Sequence, residues 1–471
     1  MRSLLIRADA GTRIGSGHVM RCLALAHAWR DRGGRAAFLT NAPDVEDFET
    51  IPAPEAGDVE RAIETARARA ADWVVVDGYR FDSGYLRALR DAGLRVLAID
   101  DHGRAGEYAA DAILDVNLAA REDAYRRRPA GARLLLGTRY ALLRREFRGL
   151  RPAPKPALAR TLLVTLGGAD PGNATLRVVE TLVARPEPRP ETVVLLGPDN
   201  PHRSVLERAV AGTSIRLETG GPGMAARMAW ADAAISGAGG TAWELAYMGV
   251  PSMLVVAAEN QRPNADALAA AGAALRPEDG LDALLADGPR RARLAERGRA
   301  LVDGRGADRV AAALEAGLLR LRRASDADAR VLWEWANDPE VRAVSFTPAP
   351  IPWETHVAWL RRKLDDPGCF LYIVEEEGVP MGQTRFDVQG AEAVVSVSLA
   401  KGARGRGWGG DILRRACAAL FETSTARVVR AYVKPGNEAS ARAFADAGFE
   451  SAAPGAPNHP EALHWVLRAP A

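Results

Sequence analysis

Short runs of Val, Ile and Leu alternate along this chain with stretches in which apolar residues recur at helical spacing. The runs Ser3–Arg7, Ala36–Leu39, Trp73–Val76 and Val96–Ile99 predict strands, and Val19–Arg32, Val59–Ala71 and Gly84–Ala92 predict the helices between them. That alternation is the rhythm of βαβ units and a parallel sheet. RPAPKP, at Arg151–Pro156, interrupts it and reads as a linker, because proline continues neither a helix nor a central strand. The rhythm restarts with strands at Thr161–Leu166, Thr192–Leu196, Ala233–Ser236 and Pro251–Val256, and a long helical stretch, Pro289–Leu318, closes this second half. From about Leu319 the order changes. A strand and two helices, Asp326–Ala336 and Trp353–Leu364, precede consecutive strands at Phe370–Glu375, Met381–Val388 and Val394–Leu399, an α+β pattern. The expected architecture is therefore two Rossmann-like α/β domains, 1–153 and 154–318, with a cleft between them, followed by an α+β domain at 319–471.

The length of 471 residues agrees with three units at roughly 100 to 200 residues each. With 62 basic against 60 acidic residues the net charge is +2, too little for the broad positive field of a nucleic-acid binder. Three separated cysteines, Cys22, Cys369 and Cys417, form no CxxC pair, so neither a disulfide framework nor a zinc site is expected. The start of the chain lacks a signal-peptide core, and no apolar run approaches the ~18 residues of a membrane span. A cytoplasmic protein without metal, nucleic-acid or membrane partner is the expectation.

The candidate chemistry stands where strands give way to helices. The first strand leads into Gly11, Gly15 and Gly17, and His18 then opens an amphipathic helix with Val19, Cys22, Leu23, Ala26 and Trp29 on one face. Glycines permit a tight turn and close approach of a ligand, and the N–H groups of a helix start favour anionic oxygens. A histidine in the first helical turn feels the positive end of the dipole, which opposes protonation and suits a general base. His27, further along the helix, reads as structural. Asp9, Asp77 with Tyr79, Asp100 with Asp101, and Asn117 stand at other strand ends, where open parallel sheets collect ligands.

A second glycine set, Gly167 and Gly168 before Asp170, and Gly237, Gly239, Gly240 and Thr241 after Ser236, again lies between strand ends and helix starts. Such amides cradle a diphosphate without a metal. Neither set is a Walker loop or a regular GxGxxG, so ATP or NAD is not specifically indicated. Glu244, one turn into its helix, suits the hydroxyls of a nucleotide ribose.

Taken together, RADAGTRIGSGHVMR, VVVDGYR, IDDH, DVN, LGGADPGN, ISGAGGTAWELAYMGVP and ENQRPNA resemble the UDP-2,4-diacetamido-2,4,6-trideoxy-β-L-altropyranose hydrolases of pseudaminic acid biosynthesis, themselves similar to MurG-type glycosyltransferases. The resemblance spans about residues 1 to 300. It implies a GT-B-like pair of domains that binds a UDP-sugar and transfers the glycosyl group to water, with His18 as the base and Tyr79 orienting the water. Gly239, Gly240, Thr241 and Glu244 would hold UDP, and Asn260 and Gln261 would approach the sugar or diphosphate. The implied substrate site also takes in Asp9, Gly15, Gly17, Arg21, Asp101, Asn117, Gly167, Gly168, Asp170 and Ser236. Gly78, where the pattern has a bulkier residue, is a departure.

In the last third, a strand ending at Leu399 precedes Arg404, Gly405, Arg406, Gly407, Trp408 and Gly409, and a helix follows. Arginine charge and a helix N-terminus again suit an anion. This loop, with Asn437, Ser440, Gly448 and Phe449 later on, resembles the GNAT acetyltransferases over about residues 320 to 468. It includes the subgroup holding the N-acetyltransferase of the same pathway. The resemblance implies acetyl-CoA as co-substrate, held by Leu399, Arg404 to Gly409, Asn437 and Ser440. Phe444 stands where many GNAT enzymes carry a tyrosine, and a phenyl ring has no proton to give the departing thiolate. Glu354, His356 and Glu376 are candidates for the base toward the amine, none assigned.

The implied function is a bifunctional enzyme that N-acetylates a UDP-linked 4-amino sugar and hydrolyses the product to free sugar and UDP. Two alternatives differ in class: a glycosyltransferase with an organic acceptor, and a C-terminal domain that binds acetyl-CoA only as a regulator.

Overall fold

The computed structural model describes residues 2–469, apart from 12–14, 43, 151–155, 169, 187, 199, 221–222 and 457–458. Most of the expected linker, Arg151–Lys155, lies outside the described residues. The chain divides into two compact units, 1–311 and 312–471.

The first unit holds two parallel sheets. In the first half β1 (Ser3–Ala8), α1 (Gly17–Asp31), β2 (Arg35–Thr40), β3 (Glu49–Pro52), α2 (Asp58–Ala68), β4 (Trp73–Asp77), α3 (Ser83–Asp91), β5 (Val96–Ile99), β6 (Ala112–Asp115) and β7 (Arg133–Leu136) follow in sequence. Their strands are ordered β3-β2-β1-β4-β5-β6-β7, all parallel. The second half comprises β8 (Thr161–Thr165), α4 (Ala174–Val183), β9 (Glu191–Leu196), α5 (Arg203–Val210), β10 (Arg216–Thr219), α6 (Met224–Trp230), β11 (Ala233–Gly237), α7 (Gly240–Met248) and β12 (Ser252–Val255). The helices α8 (Arg262–Ala270), α9 (Leu281–Leu285) and α10 (Gly288–Leu301) complete it, and α11 (Gly306–Leu318) begins in the first unit and ends in the second. Here the strand order is β10-β9-β8-β11-β12, again parallel. Central strands read as unbroken apolar runs because helices cover both faces: Leu4, Leu5 and Ile6 are all buried.

The second unit follows a different plan: β13 (Arg320–Arg323), α12 (Ala329–Asn337), α13 (Pro339–Val344), α14 (Trp353–Asp365), β14 (Cys369–Glu376), β15 (Val379–Gln389), β16 (Glu392–Leu399), α15 (Gly409–Thr423), β17 (Val428–Val433), α16 (Glu438–Asp446), β18 (Glu450–Ala452) and β19 (Leu463–Arg468). Its sheet, β13-β14-β15-β16-β17-β19-β18, is antiparallel except for β16 and β17. That parallel pair is matched only from Glu392↔Val428 to Val394↔Arg430, so the strands part beyond it. Two Rossmann-like sheets followed by a GNAT-like α+β unit is the fold expected from the sequence.

Three local expectations change. The stretch Pro289–Leu318 is two helices, because Val302 is extended and Gly304 takes a φ of 77° where a Cβ would lie 2.6 Å from the Tyr247 ring. An additional helix, α13, starts where Asp338 accepts hydrogen bonds from the Glu340 and Val341 amides and Pro339 needs no amide partner. α1 is buried along most of its circumference rather than on one face, with His18, Val19 and every residue from Cys22 to Trp29 buried.

Within the second half of the first unit, one glycine is required by a close backbone approach. A Cβ on Gly197 would lie 2.1 Å from the Gly168 carbonyl oxygen, whereas one on Gly168 would sit in ordinary contact, 3.6 Å from the Gly15 Cα. Gly197→Ala is therefore expected to cost about 1–3 kcal/mol in urea unfolding, as overpacking against backbone does, with Gly168→Ala close to neutral.

Candidate active sites

In the first sheet the chain leaves β1 toward β2 and β3, then returns to β4 on the other side of β1. The carboxyl ends of β1 and β4 therefore flank a topological switch point, where such sheets bind ligands. β1 delivers the turn from Gly11 to Gly15, closed by paired backbone hydrogen bonds of 3.2 and 2.7 Å, and α1 then presents His18. Residues 12–14 of this turn lie outside the described residues. β4 ends on Asp77, and Gly78 turns the chain at φ 153°, where a Cβ would meet the Phe81 ring at 2.9 Å. The local backbone thus accounts for glycine before Tyr79.

His18 Nδ1 lies 2.7 Å from Asp77 Oδ1. Asp77 is fully buried, and both its oxygens also accept from Arg21, Nε and Nη2 each at 2.6 Å. Burial alone would raise the Asp77 carboxyl, but the Arg21 charge and the pairing with His18 overcome it and hold the group well below the usual carboxylate range. An ionised carboxylate only accepts, so His18 Nδ1 carries a proton in this pair, and Nε2 is the nitrogen that Asp77 does not engage. The Cys22 thiol donates to the same carboxylate at 3.4 Å. Asp77 is the member that the sequence placed at a strand end without a role. Its pairing with His18 spans 59 positions and leaves no local signal.

Around this dyad the structure gathers Arg21, Tyr79, Asp101 and Asn117. The Tyr79 ring stands edge-on to the His18 ring, centroids 4.9 Å apart at 86°. Its hydroxyl donates to Asp101 at 2.9 Å, Asn117 Nδ2 donates to Asp101 at 2.9 Å, and Arg21 reaches Asp101 at 3.4 Å. Enclosure of the hydroxyl and the adjacent Asp101 carboxylate push the Tyr79 phenol upward. Asp9 is committed elsewhere: it is paired with the fully buried Arg7 at 2.6 Å and with Arg80 at 2.8 Å. His27 lies 3.4 Å from Asp47 and against the Phe48 ring, in keeping with a structural residue.

The second half has its own switch point, between β8 and β11. Gly167, with φ 101°, and Gly168 follow β8, while Ser236 lies buried in β11 and Gly239 precedes the exposed start of α7 at Gly240, with Thr241 next. Asp170 accepts from the amides of Ala174 and Thr175 and from the Thr175 hydroxyl, so its carboxylate serves the start of α4. Gln261 Oε1 accepts from the amides of Ala238 and Ala257 at 3.3 and 3.2 Å, fixing the glycine loop from behind. Its neighbour Asn260 donates to the Tyr79 hydroxyl at 2.8 Å, joining the two halves. Glu244 is buried and bound through both oxygens to Arg144, at 2.7 and 3.0 Å. Burial raises the Glu244 carboxyl and Arg144 opposes that rise. Arg144 was missed from the sequence, since it stands 100 positions from its partner.

In the second unit the loop after β16 turns at Gly405 and Gly407, with φ of 74° and 80°, and leads into α15. Arg404 donates to the Leu399 carbonyl at 3.0 Å, to Asp338 at 3.0 Å and to Glu340 at 2.8 Å, and its buried Nη2 has no protein partner. Arg406 covers the buried Trp408 ring at 3.9 Å and bonds Glu376 at 3.0 Å. Glu376 therefore already has a cationic partner. Asn437 accepts from the Ser440 amide and caps α16. Phe444 is buried against Phe449. His356 is buried with no partner on Nε2, and burial lowers its proton affinity.

Residues 162–279 match the model of the glycosyltransferase family 28 C-terminal domain, and residues 319–450 match that of the acetyltransferase (GNAT) domain. The chain joins a glycosyltransferase-like domain to a GNAT acetyltransferase domain. The spore coat polysaccharide biosynthesis protein SpsG of Bacillus subtilis (strain 168) is 27% identical over 332 residues, covering 66% of this chain and 97% of its own. An uncharacterized protein of Methanocaldococcus jannaschii is 24% identical over 277 residues, 55% of this chain and 56% of its own. Among solved structures, Acinetobacter baumannii MurG superposes with a TM-score of 0.44 at 17% identity, over 67% of this chain and 99% of that one. An aminoglycoside acetyltransferase in complex with coenzyme A gives 0.28 at 20% identity, over 32% and 94%. Among the described residues, no helix is long and apolar enough to cross a membrane.

Because its carboxyl lies below the ordinary value of 3.8, Asp77 contributes stability above that pH and loses it as the pH falls further. Asp77→Asn is expected to lower stability by about 3–5 kcal/mol at pH 7, the cost of breaking a buried ion pair. The gap to wild type narrows below about pH 3.8 in denaturant titrations at stepped pH.

Proposed function

We propose that residues 1–153 and 154–318 act together as a hydrolase of a UDP-linked diacetamido trideoxy sugar, and that residues 319–471 N-acetylate the preceding UDP-4-amino sugar with acetyl-CoA. The carrying observation is the His18–Asp77 pair, at 2.7 Å, with Tyr79 edge-on to the imidazole at a sheet switch point. The glycosyltransferase family 28 match over residues 162–279 supports a nucleotide-sugar site in the second half. The polysaccharide role named for the Bacillus relative supports carbohydrate chemistry.

In this reading His18 Nε2 takes a proton from water, and the oxygen bonds to the anomeric carbon as the bond from that carbon to the diphosphate oxygen breaks. UDP leaves with the electron pair, and amides of the Gly167–Gly168 and Gly239–Thr241 loops stabilise its charge. Asp77 holds the imidazole tautomer and offsets the positive charge formed on it. UDP is a good leaving group, so a second carboxyl to protonate it is not required.

The GNAT match supports acetyl-CoA as co-substrate. The partner-free Nη2 of Arg404 and the left-handed glycines suit its pyrophosphate, and the parted strands β16 and β17 open a gap beside it. The amine nitrogen bonds to the thioester carbonyl carbon and the carbon–sulfur bond breaks, the thiolate leaving with its electron pair while solvent takes the proton that the nitrogen sheds. Phe444 supplies no proton to the thiolate, so the thiolate takes one from solvent or leaves as it is. Acetylation before hydrolysis, in a cytoplasmic nonulosonic acid route, is the order we infer.

The glycosyltransferase domain match also favours a second reading, transfer to an organic acceptor, and water alone separates the two. Incubation of the acetylated UDP-sugar in ¹⁸O-water should release UDP without label and free sugar with one labelled oxygen. No release without an added acceptor rejects hydrolysis. His18→Ala is expected to lower kcat by about 10²–10⁴, the usual worth of a positioned base, with UDP affinity retained. For the second unit, purified protein given the UDP-4-amino sugar and acetyl-CoA should liberate free thiol. Tight acetyl-CoA binding without thiol release would mark that unit as a regulator.

A further inference from the structure

Asn260 belongs to the other half of the unit, yet it reaches the hydroxyl of the tyrosine whose ring stands edge-on to His18. A phenol oxygen has one proton and two lone pairs. In Tyr79 the proton goes to Asp101 at 2.9 Å, and Asn260 Nδ2 donates to one lone pair at 2.8 Å. One lone pair then remains, so Tyr79 meets its next neighbour as an acceptor. A water held there donates one hydrogen to Tyr79 and keeps the other for a base. Asp101 passes the constraint on, since it also accepts from Arg21, which grips both oxygens of Asp77 behind His18.

Asn260 is in turn fixed from its own side. It shares one turn of helix, Glu259–Gln261, with Gln261, whose carbonyl oxygen holds the Ala238 amide in the glycine loop after β11. A Cβ on Gly237 would lie 3.4 Å from that same oxygen, so loop and side chain are in direct contact. An unbroken series of hydrogen bonds and one short turn thus runs from the glycine loop through Gln261, Asn260, Tyr79, Asp101, Arg21 and Asp77 to His18.

We propose that Asn260 is a positioning residue that couples occupancy of the glycine loop by a nucleoside diphosphate to the orientation of Tyr79, and through it to the water that His18 deprotonates. The proposal rests on the hydrolase reading above, and it deepens it. Asn260 acts through Tyr79 rather than by gripping the nucleotide. Asn260→Ala should therefore lower kcat by about tenfold or more, as a misoriented reactant does, while UDP affinity changes by no more than the few-fold that loss of the coupling itself requires.

The test combines kinetics with a spectroscopic readout. Asn260→Ala and Tyr79→Phe should each lower kcat, and the double variant should be no slower than Tyr79→Phe alone. Multiplied effects, or a UDP affinity that falls in Asn260→Ala by as large a factor as kcat does, would overturn the proposal in favour of direct nucleotide contact. Independently of turnover, UDP added to ¹⁵N-histidine-labelled protein should shift the His18 ring resonances in wild type. The shift should be lost in Asn260→Ala at saturating UDP. An equal shift in that variant, or none in wild type, would also overturn the proposal. If wild type releases no UDP from the sugar yet the UDP-dependent shift needs Asn260, the hydrolase reading fails and the coupling stands.

Discussion

A buried carboxylate shared by a guanidinium and an imidazole organises the first unit. Asp77 has no access to solvent, and an unpaired charge there would be costly. Arg21 satisfies it bidentately from one turn along α1, and His18 satisfies it from the start of the same helix. Both partners come from one helix, so the pairing fixes the rotation of α1 against β4. That rotation decides where the second imidazole nitrogen faces. Packing alone would leave it less determined, because α1 is buried nearly all round and offers no single apolar stripe to set its orientation.

The two parallel sheets repeat one solution with different side chains. Each has a central strand flanked by a neighbour that precedes and one that follows the reversal, and each opens a crevice at the carboxyl ends of that pair. In the first half the crevice carries titratable groups and a tyrosine. In the second it carries glycines and the exposed start of α7, suited to an anion. The link from Asn260 to Tyr79 brings these contributions into one network. In the second unit β17 stops pairing with β16 after Val394, and the loop that follows β16 turns at left-handed glycines before α15.

The candidate residues were legible in different degrees. Elements built on continuous apolar runs were readable because burial on both faces leaves one composition for a central parallel strand. The short helix α13 was not, since its start depends on the Asp338 cap rather than on an apolar period. The break at Gly304 was hidden for a similar reason: no apolar period marks it, and what holds the position to glycine is its left-handed backbone beside the Tyr247 ring, more than fifty positions away. Asp170 and Glu244 stand at the predicted loop and helix. Their carboxylates, however, are engaged by a helix start and by Arg144, which spacing does not reveal. Likewise Arg404 has the predicted loop but shares its charge with Asp338 and Glu340.

By itself the sequence determined the alternation of strand and helix, the glycine turns, and the placing of His18 at a helix start and Tyr79 at a strand end. These follow from local chemistry: apolar period, conformational freedom at glycine and the amides left open at a helix start. Only the tertiary structure decided which carboxylate faces His18, and hence which ring nitrogen holds the proton. It alone decided that Tyr79 answers to Asn260 from the other half and that Glu244 is shared with Arg144. Those outcomes depend on pairings between residues 59 to 181 positions apart. Electrostatics in a buried site responds to distance in space, and separation along the chain carries no information about it.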